Sequence, residues 1–240
     1  MSKETADKIN GLLPMGSIKP TTMMVLVNAI HLKLPWASPF QPGATDSRSF
    51  TKADGTNVSA RFMNQEGGFS YSEDSQAQIV ALPLEGGALD VVITLPKGDL
   101  ASYEAGLAAD SPALAVPGSY TDVQLSLPKT SFTSASFSLK KALSDMGMAE
   151  AFTPSADFSG ILPQGGLQID DVIQKAMIAM EENGVEAAAA TAVILGSTGA
   201  AGPGPTPVTM TVDRPYLISI VDATTGAVLF LGHIEDPTAS

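Results

Sequence analysis

Few residues of this 240-residue chain have the types and spacing that catalysis or metal binding requires. The two histidines, His31 and His233, stand in apolar runs typical of strands, and we assign them packing or surface roles. Asp170 and Asp171 form a lone acidic pair, the pattern of a solvated strand edge more often than of a metal site. The chain has no cysteine, which excludes disulfides and thiolate metal ligands.

Signature loops of common enzyme classes are also missing from the sequence. No G-x-S-x-G element is present to present a nucleophilic serine, and no G-x-x-x-x-G-K-[ST] loop could hold phosphates. The glycine-rich stretch at 196–204 follows neither that spacing nor the dinucleotide fingerprint. The sequence therefore indicates a protein that is not an enzyme and uses no cofactor or metal.

Charge and hydropathy exclude two classes of partner. Lys and Arg number 13 against 25 Asp and Glu, so the net charge of -12 repels phosphate backbones and argues against nucleic acid. The most apolar stretch, MMVLVNAIHLKLPW, is too short and too polar to span a bilayer. We therefore expect neither a nucleic-acid nor a membrane partner.

The segment 181–195, EENGVEAAAATAVIL, combines conflicting signals. Ala and Glu favour helix, but GSTGAAGPGPTP follows at once and cannot stay helical. One interpretation is a plain helix or flexible connection. The other is a strand that forms only conditionally. Methyl side chains fit either face of a sheet and lose no rotamer entropy on burial, Gly184 frees the backbone, and Thr191 and Val193 favour a strand.

The rest of the chain predicts an α+β domain rich in antiparallel sheet. Apolar runs predict a strand covered on both faces at 23–34 and a long strand at 167–180, and alternation predicts a half-buried strand at 123–127. Hairpins are predicted around the turn at 53–56, between 78–84 and 89–95, and between 216–221 and 227–234. Helical spacing predicts a short helix, or the tail of a longer one, at 6–13 and a helix at 137–147 that ends at Gly147. The Ala- and Leu-rich stretch 99–116 is enough for one or two short helices.

Five separated motifs carry a family resemblance. ENGVEAAAAT at 182–191 resembles the reactive-loop hinge of inhibitory serpins. The other four fall in serpin order: LVNAIHLKLPWASPF (26–40), LSLPKTSF (125–132), LSDMGMAEAFTPSADFSGI (143–161) and DRPYLISIVDATTGAVLFLGHIEDP (213–237). The chain is identified as a bacterial-type serpin that resembles the C-terminal two-thirds of the family, from the end of helix F onward.

The resemblance implies a partial serpin fold over residues 1–240, a single domain without the N-terminal helices and strands, with a reactive loop at about 182–212. It implies a suicide-substrate inhibitor of serine proteases, extending to cysteine proteases, with an extracellular or periplasmic location. The cut loop would insert into sheet A as a strand. The alternatives are a non-inhibitory serpin-fold binding protein or an inactive truncated remnant. A hydrolase on an antiparallel scaffold is disfavoured by the missing motifs.

Family spacing, counted from Glu182, places the reactive bond between Thr198 and Gly199. About six extra residues then separate this bond from the 213–215 motif, and counting back from Pro215 would move the bond to Gly204-Pro205. We prefer Thr198 because insertion fixes the distance from hinge to bond, whereas a longer loop beyond it costs little. The small, uncharged residues at 196–198 suit a protease with a shallow primary pocket, of elastase or subtilisin type.

The resemblance assigns roles to two groups of residues. The sheet-opening region comprises Asn28, Trp36, Lys129 and Gln174: Lys129 is the expected charge partner of Glu182, Trp36 lies where the loop first inserts, and Gln174 replaces the usual histidine partner of Asn28. Ordinary packing and surface pairing is the competing explanation for all of them. The hinge comprises Glu182, Gly184, Val185, Ala187, Ala188, Ala189, Ala190 and Thr191.

A last expectation concerns the state of the loop in this chain. With fewer strands than a full serpin and no covering helices, little would oppose insertion of 185–197, and an open slot would expose unpaired backbone groups. We therefore expect the loop to be already inserted or disordered, and the 240-residue chain not to inhibit.

Overall fold

The computed structural model of the chain describes residues 11–30, 32–108, 114–185 and 206–239, which form mainly strands. The strands are β1 (Val25–Ile30), β2 (Leu34–Pro35), β3 (Asp46–Thr51), β4 (Asn57–Glu73), β5 (Ala77–Pro83), β6 (Leu89–Pro96), β7 (Tyr120–Pro128), β8 (Thr130–Thr133), β9 (Phe137–Ser138), β10 (Asp171–Glu181), β11 (Gly184–Val185), β12 (Val208–Thr211), β13 (Tyr216–Asp222) and β14 (Val228–Ile234). The helices are α1 (Leu100–Ala105) and α2 (Lys140–Leu143), with 3-10 turns at Pro42–Ala44 and Ala149–Phe152 and a π turn at Ser144–Met148.

The chain divides into two compact units, one within residues 1–31 and 132–178 and the other within 32–131 and 179–240. The larger unit is built on an eight-stranded sheet in the order β12-β7-β4-β5-β6-β13-β14, with β3 paired to β4. Neighbouring strands are antiparallel except β12 and β7, which run parallel. The single domain expected from the sequence stays a prediction.

Apolar side chains on alternate positions of these strands form the core of the larger unit. Ile79, Ala81, Val92 and Val221 pack together in one buried cluster, and α1 covers it through Tyr103. The helix starts where the side chain of Asp99 accepts a hydrogen bond from the Ser102 N–H at 2.8 Å, a standard N-cap. The sheet is therefore held by burial of β-branched side chains, its strongest stabilising term.

The smaller unit is centred on β1 and β10, which pair in parallel from Val25 opposite Asp171 to Ala29 opposite Lys175. The short strand β9 pairs antiparallel with β10. Below this sheet Phe152, Ile169 and Val172 form a buried cluster with side chains from the helical segment, including Leu143. Two strands that are far apart in the sequence are thus direct neighbours in this unit.

The three hairpins predicted from the sequence are confirmed. β3 and β4 pair around the turn at 53–56, β5 and β6 around 84–88, and β13 and β14 around 223–227. The strands predicted at 123–127 and 167–180 are confirmed as β7 and β10. Each turn contains glycine, and the turns at 53–56 and 223–227 also have Asp or Thr within or beside them, so these elements could be found without tertiary information.

Two predictions need correction. The single strand expected at 23–34 is divided into β1 and β2, and Leu32 and Lys33 between them belong to no strand. The helix expected at 137–147 begins only at Lys140, after the short strand β9; Gly147, its predicted terminator, has a positive φ of 104°. Of the one or two short helices predicted within 99–116, one is confirmed as α1.

The sequence did not reveal that β4 runs for 17 residues. Polar residues at 64–66 and the glycine pair at 67–68 hide its alternation, because a long strand that bends between two pairing partners does not keep one apolar face.

Some sequence-based predictions concern residues outside the described part of the chain. Most of the helix predicted at 6–13 lies outside them, as do His31 and the segment 186–205. None of the helices in the described part of the chain is long and apolar enough to cross a bilayer.

Candidate functional site

The predicted hinge begins as a tight turn followed by a short strand. After β10 the chain turns at Glu182 and Asn183 and returns as β11, with Glu181 opposite Gly184 and Met180 opposite Val185. On its other side β11 pairs antiparallel with β2, where Val185 lies opposite Leu34. Gly184 and Val185 are therefore seated as a strand between β10 and β2.

Both residues of β11 are buried. The Val185 side chain is fully buried, so the valine is held as a core residue. Gly184 has a φ of 150° and lies against β2 so closely that a Cβ there would overlap the Leu34 carbonyl oxygen and the main chain of Pro35. Only glycine meets both conditions, which explains the residue type at this position.

An ion pair holds the turn that precedes β11. Lys129 Nζ lies 2.8 Å from Glu182 Oε2, and the Thr45 hydroxyl donates to Glu182 Oε1 at 2.8 Å. Only 12% of the Glu182 side chain is exposed. Partial burial by itself would raise the pKa of Glu182, but hydrogen bonds from Lys129, from its own backbone and from Thr45 outweigh it and lower the pKa. Glu182 is therefore a carboxylate at neutral pH.

The segment after β2 forms hydrogen bonds with the backbone carbonyls of the same turn. The Trp36 indole Nε1 donates to the Glu181 carbonyl at 2.8 Å, and the Trp36 N–H donates to the Asn183 carbonyl at 3.0 Å. The Phe40 N–H donates to the Glu182 carbonyl at 2.8 Å. Trp36 is thus tied to the hinge turn by two hydrogen bonds, in addition to its packing against Phe40 in an edge-to-face arrangement.

Asn28 and Gln174, the other two residues of the sheet-opening region, lie directly opposite each other in the β1–β10 pair. Within the described residues neither side chain forms a hydrogen bond. The polar contact expected between strands of a closed sheet is therefore not made through this pair.

β1 and β10 are direct neighbours, and no strand of the described chain lies between Val25–Ile30 and their partners on β10. This parallel pairing satisfies the backbone groups that an open slot would leave exposed. Gly184 and Val185 contact β2. The loop beyond them, 186–205, lies outside the described residues, so the expectation that it is inserted or disordered stays a prediction.

Residues that could do chemistry elsewhere are engaged in local structure. The Asp170 carboxylate accepts the backbone N–H groups of Met23 and Met24 at 2.6 and 3.0 Å, and these bonds lower its pKa. Asp171 accepts from the Ser138 hydroxyl. His233 Nδ1 lies 2.9 Å from Glu104 Oε1 at the surface. Among the described residues no group of His, Asp and Glu could hold a metal ion.

Several site residues named from the sequence fall outside the described residues: Ala187, Ala188, Ala189, Ala190, Thr191, Thr198 and Gly199. Their roles stay predictions. In the other direction, sequence reasoning missed Thr45 and the Phe40 N–H as partners of Glu182. Neither carries a local signal, because the contact joins segments 137 residues apart.

Known proteins share both this fold and its sequence. The serpin (serine protease inhibitor) family model matches residues 1–237. An uncharacterized serpin-like protein of Thermococcus kodakarensis is 36% identical over 238 residues, covering 99% of this chain and 55% of its own length. Human antithrombin-III is 32% identical over 243 residues, covering 99% and 52%.

Solved structures give the same result. Human thyroxine-binding globulin in complex with thyroxine superimposes with a TM-score of 0.84 at 30% identity, over 99% of this chain and 62% of that one. The thermophilic serpin tengpin in its native state gives a TM-score of 0.82 at 27% identity, over 98% and 60%.

The chain belongs to the serpin family. It spans just over half the length of the curated relatives it matches. The family is described as serine protease inhibitors. Its members include antithrombin-III and thyroxine-binding globulin, whose names refer to different activities. Membership therefore establishes the fold of this chain and leaves its activity to be proposed.

Proposed function

We propose that this chain is a serine protease inhibitor that acts once, by inserting its cleaved loop as a strand between β1 and β10. This replaces the expectation that the shortened chain does not inhibit, because β1 and β10 pair directly and leave no open slot between them. The observation that carries the proposal is β11, which already occupies the first two positions of such a strand beside β10. The family description and the likeness to antithrombin-III support it. The chain would supply no catalytic group, only the free energy released on insertion.

The register of β11 defines how far insertion can proceed. Val185 lies opposite Met180, so continuing the pairing one for one along β10 brings Ile194 opposite Asp171, the first residue of β10. The residues from Ala189 to Ile194 would then take the place that β1 holds beside β10. Thr198 follows four residues later, which is consistent with a reactive bond at Thr198-Gly199 and a loop cut just beyond the strand.

The ends of the loop explain why cleavage would trigger this change. Beyond the loop the chain is fixed as β12, whose Met210 is fully buried and whose Thr209 carbonyl accepts from Gln78 Nε2 at 3.1 Å. An uncut loop is held at both Val185 and β12, so it cannot supply the length for insertion. A cut frees the N-terminal side, and the new strand gains main-chain hydrogen bonds on both edges.

The side chains proposed to enter the sheet are small or β-branched, and these are inexpensive to bury in a strand. The three residues before the proposed reactive bond are small and uncharged: Gly196, Ser197 and Thr198. Such residues favour a protease with a shallow primary pocket, of elastase or subtilisin type. Lys and Arg are absent from 176–213 of the sequence, so a trypsin-like enzyme would lack its preferred side chain there.

The experiment is incubation of the 240-residue chain with an elastase-type protease, followed by denaturing gel electrophoresis. We expect a band of the summed mass of protease and inhibitor that survives SDS, because the acyl-enzyme is trapped. A matched reaction with an inactivated protease should give no such band. Complete cleavage without a complex would contradict the proposal and would favour the non-inhibitory alternative.

A further inference from the structure

Strand β4 contains a stretch that is paired on one side only. Along one edge it pairs with β7 from Phe62 to Ser70 without a break. Along the other edge β3 pairs with β4 up to Phe62, and β5 takes over only at Ser70. In the described chain no strand fills the gap at 63–69 on that side.

The direction of the backbone groups in this gap follows from two hydrogen bonds. The Lys129 N–H donates to the Arg61 carbonyl at 2.7 Å, and the Tyr71 N–H donates to the Ser119 carbonyl at 2.8 Å. Odd-numbered residues of β4 therefore exchange hydrogen bonds with β7. The N–H and C=O groups of Glu66 and Gly68 must then face the gap, where no main-chain partner among the described residues meets them. Asn64 lies beside the segment before β3, since its Nδ2 donates to the Ala44 carbonyl at 2.6 Å.

A cavity of about 360 Å³ lies against this stretch. Its walls include Trp36, Ser38, Pro83 and Tyr120. The Tyr120 ring lies over Gly68 so closely that a Cβ at this position would overlap the ring, so the ring covers this face of Gly68 and forms part of the cavity wall. The site therefore combines room for a short chain segment with a row of unpaired backbone donors and acceptors.

The electrostatics of the site select the kind of segment. Gly68 lies opposite Asp122 in the β4–β7 register, so Glu66 and Asp122 extend from the same face of the sheet, and both are exposed. No Lys or Arg lines the cavity. A strand added beside β4 would place the side chains opposite Glu66 and Gly68 on this acidic face.

We propose that residues 66–68 of β4 bind an extended segment of a partner protein by strand addition, with basic side chains at alternate positions of that segment. Main-chain hydrogen bonds to Glu66 and Gly68 would supply affinity, and the carboxylates of Glu66 and Asp122 would supply selectivity. The proposal does not depend on protease inhibition, since neither the hinge nor the loop is part of the site.

The test uses the whole chain and the acetylated, amidated peptide Thr-Lys-Val-Lys-Thr. Amide hydrogen exchange in the free protein should be fast at Glu66 and Gly68 and slow at Gln65 and Gly67, which bond to β7. Saturating peptide should slow Glu66 and Gly68 by about tenfold or more. Trp36, the single tryptophan of the chain, lines the cavity and should report the same binding by fluorescence.

Three controls decide the outcome. The peptide with the backbone amide nitrogens of both lysines methylated loses the two N–H donors that would face β4 and should bind at least tenfold more weakly, and Thr-Glu-Val-Glu-Thr should be rejected. Glu66→Gln should weaken binding of the lysine peptide about threefold, the scale of one cross-strand charge pair. Equal binding of the methylated peptide, or no protection at millimolar peptide, overturns the proposal. Slow exchange at Glu66 and Gly68 in the free protein also overturns it, since the gap is then already filled by this chain or a second copy.

Discussion

At the scale of single residues, Glu182 is the side chain that fixes the hinge turn. Its carboxylate is held by Lys129 and Thr45 and is largely removed from water. Such a charge is stable only while its partner remains, because an unpaired carboxylate at a half-buried site loses solvation without compensation.

Lys129→Met should therefore destabilise the chain by about 1 kcal/mol, measured by chemical denaturation. Lys141→Met is the matched control, since its ion pair with Asp145 is almost fully exposed at 88% of the lysine side chain and should contribute less than about 0.5 kcal/mol. Equal effects of the two substitutions would show that the hinge pair is an ordinary surface contact.

The same pair predicts a pH dependence. The pKa of Glu182 is lowered from its ordinary 4.5, so the folded chain binds fewer protons than the unfolded chain in this window. The stabilisation is complete above the ordinary pKa and is lost as the pH falls through the lowered value. Thermal unfolding from about pH 6 to about pH 3 should show a smaller acid loss in Lys129→Met than in the wild type.

The pH dependence of stability predicted for Asp90, in β6, has the opposite sign to that of Glu182. It is buried at 8% exposure, and burial alone raises its pKa. The folded state binds the proton more tightly, so stability falls as the pH rises from the ordinary value of 3.8 through the raised value. Asp90→Asn should stabilise the chain at neutral pH by about 1 kcal/mol and should remove this dependence. A loss of stability would mean that the carboxylate has a role that Asn cannot fill.

At the scale of elements, β11 is the short strand on which the loop depends. Val185 is fully buried between β10 and β2, and Trp36 bonds to the turn just before it. Displacing the two residues of β11 should therefore change the environment of Trp36, and its fluorescence would report the change.

Val185→Arg should unseat β11, because a guanidinium cannot be buried there without a partner. We expect a loss of about 2 kcal/mol and a red-shifted fluorescence of Trp36. Val185→Thr keeps the branched shape and should show a smaller loss and little spectral change. Unchanged fluorescence in Val185→Arg would show that the hinge is not held in this way.

At the scale of the whole molecule, the proposed inhibition is a change of pairing partner along β10. The buried side chain of Val185 sets the face of the incoming strand. By the two-residue period of strands, Ala187 and Ala189 would follow it inward, and Ala188 and Ala190 would point to the opposite face.

Ala189→Arg should therefore convert inhibitor into substrate, since the closing sheet cannot bury the charge. The measurement is the number of chains consumed per protease inactivated, which should rise about tenfold or more. Ala190→Arg is the matched control and should raise it less. If neither substitution changes the ratio, strand insertion is not the mechanism.

Thr198→Arg tests the position of the reactive bond. An arginine in the primary pocket should shift inhibition from elastase-type to trypsin-type proteases, whose pocket recognises a positive charge. Mass spectrometry of the released C-terminal peptide locates the cut. A peptide that begins at Pro205 would show that the bond lies further along the loop.

The sequence by itself determined the elements whose signals are local. Turn residues specified the three hairpins, alternation specified β7, and the family resemblance named Lys129 as the charge partner of Glu182, which the structure confirms. These succeed because turn chemistry, strand period and a distinctive motif are each contained within a few consecutive residues.

Only the tertiary structure decided which backbone edges are satisfied. It showed that β1 and β10 are direct neighbours and that Val185 is a buried strand residue. It also showed that β4, between Phe62 and Ser70, pairs with β7 on one edge and with no described strand on the other. Pairing joins residues far apart in the chain, as with Asn28 and Gln174. A residue's own type cannot reveal its partner, because every backbone carries the same donor and acceptor and the fold alone assigns them.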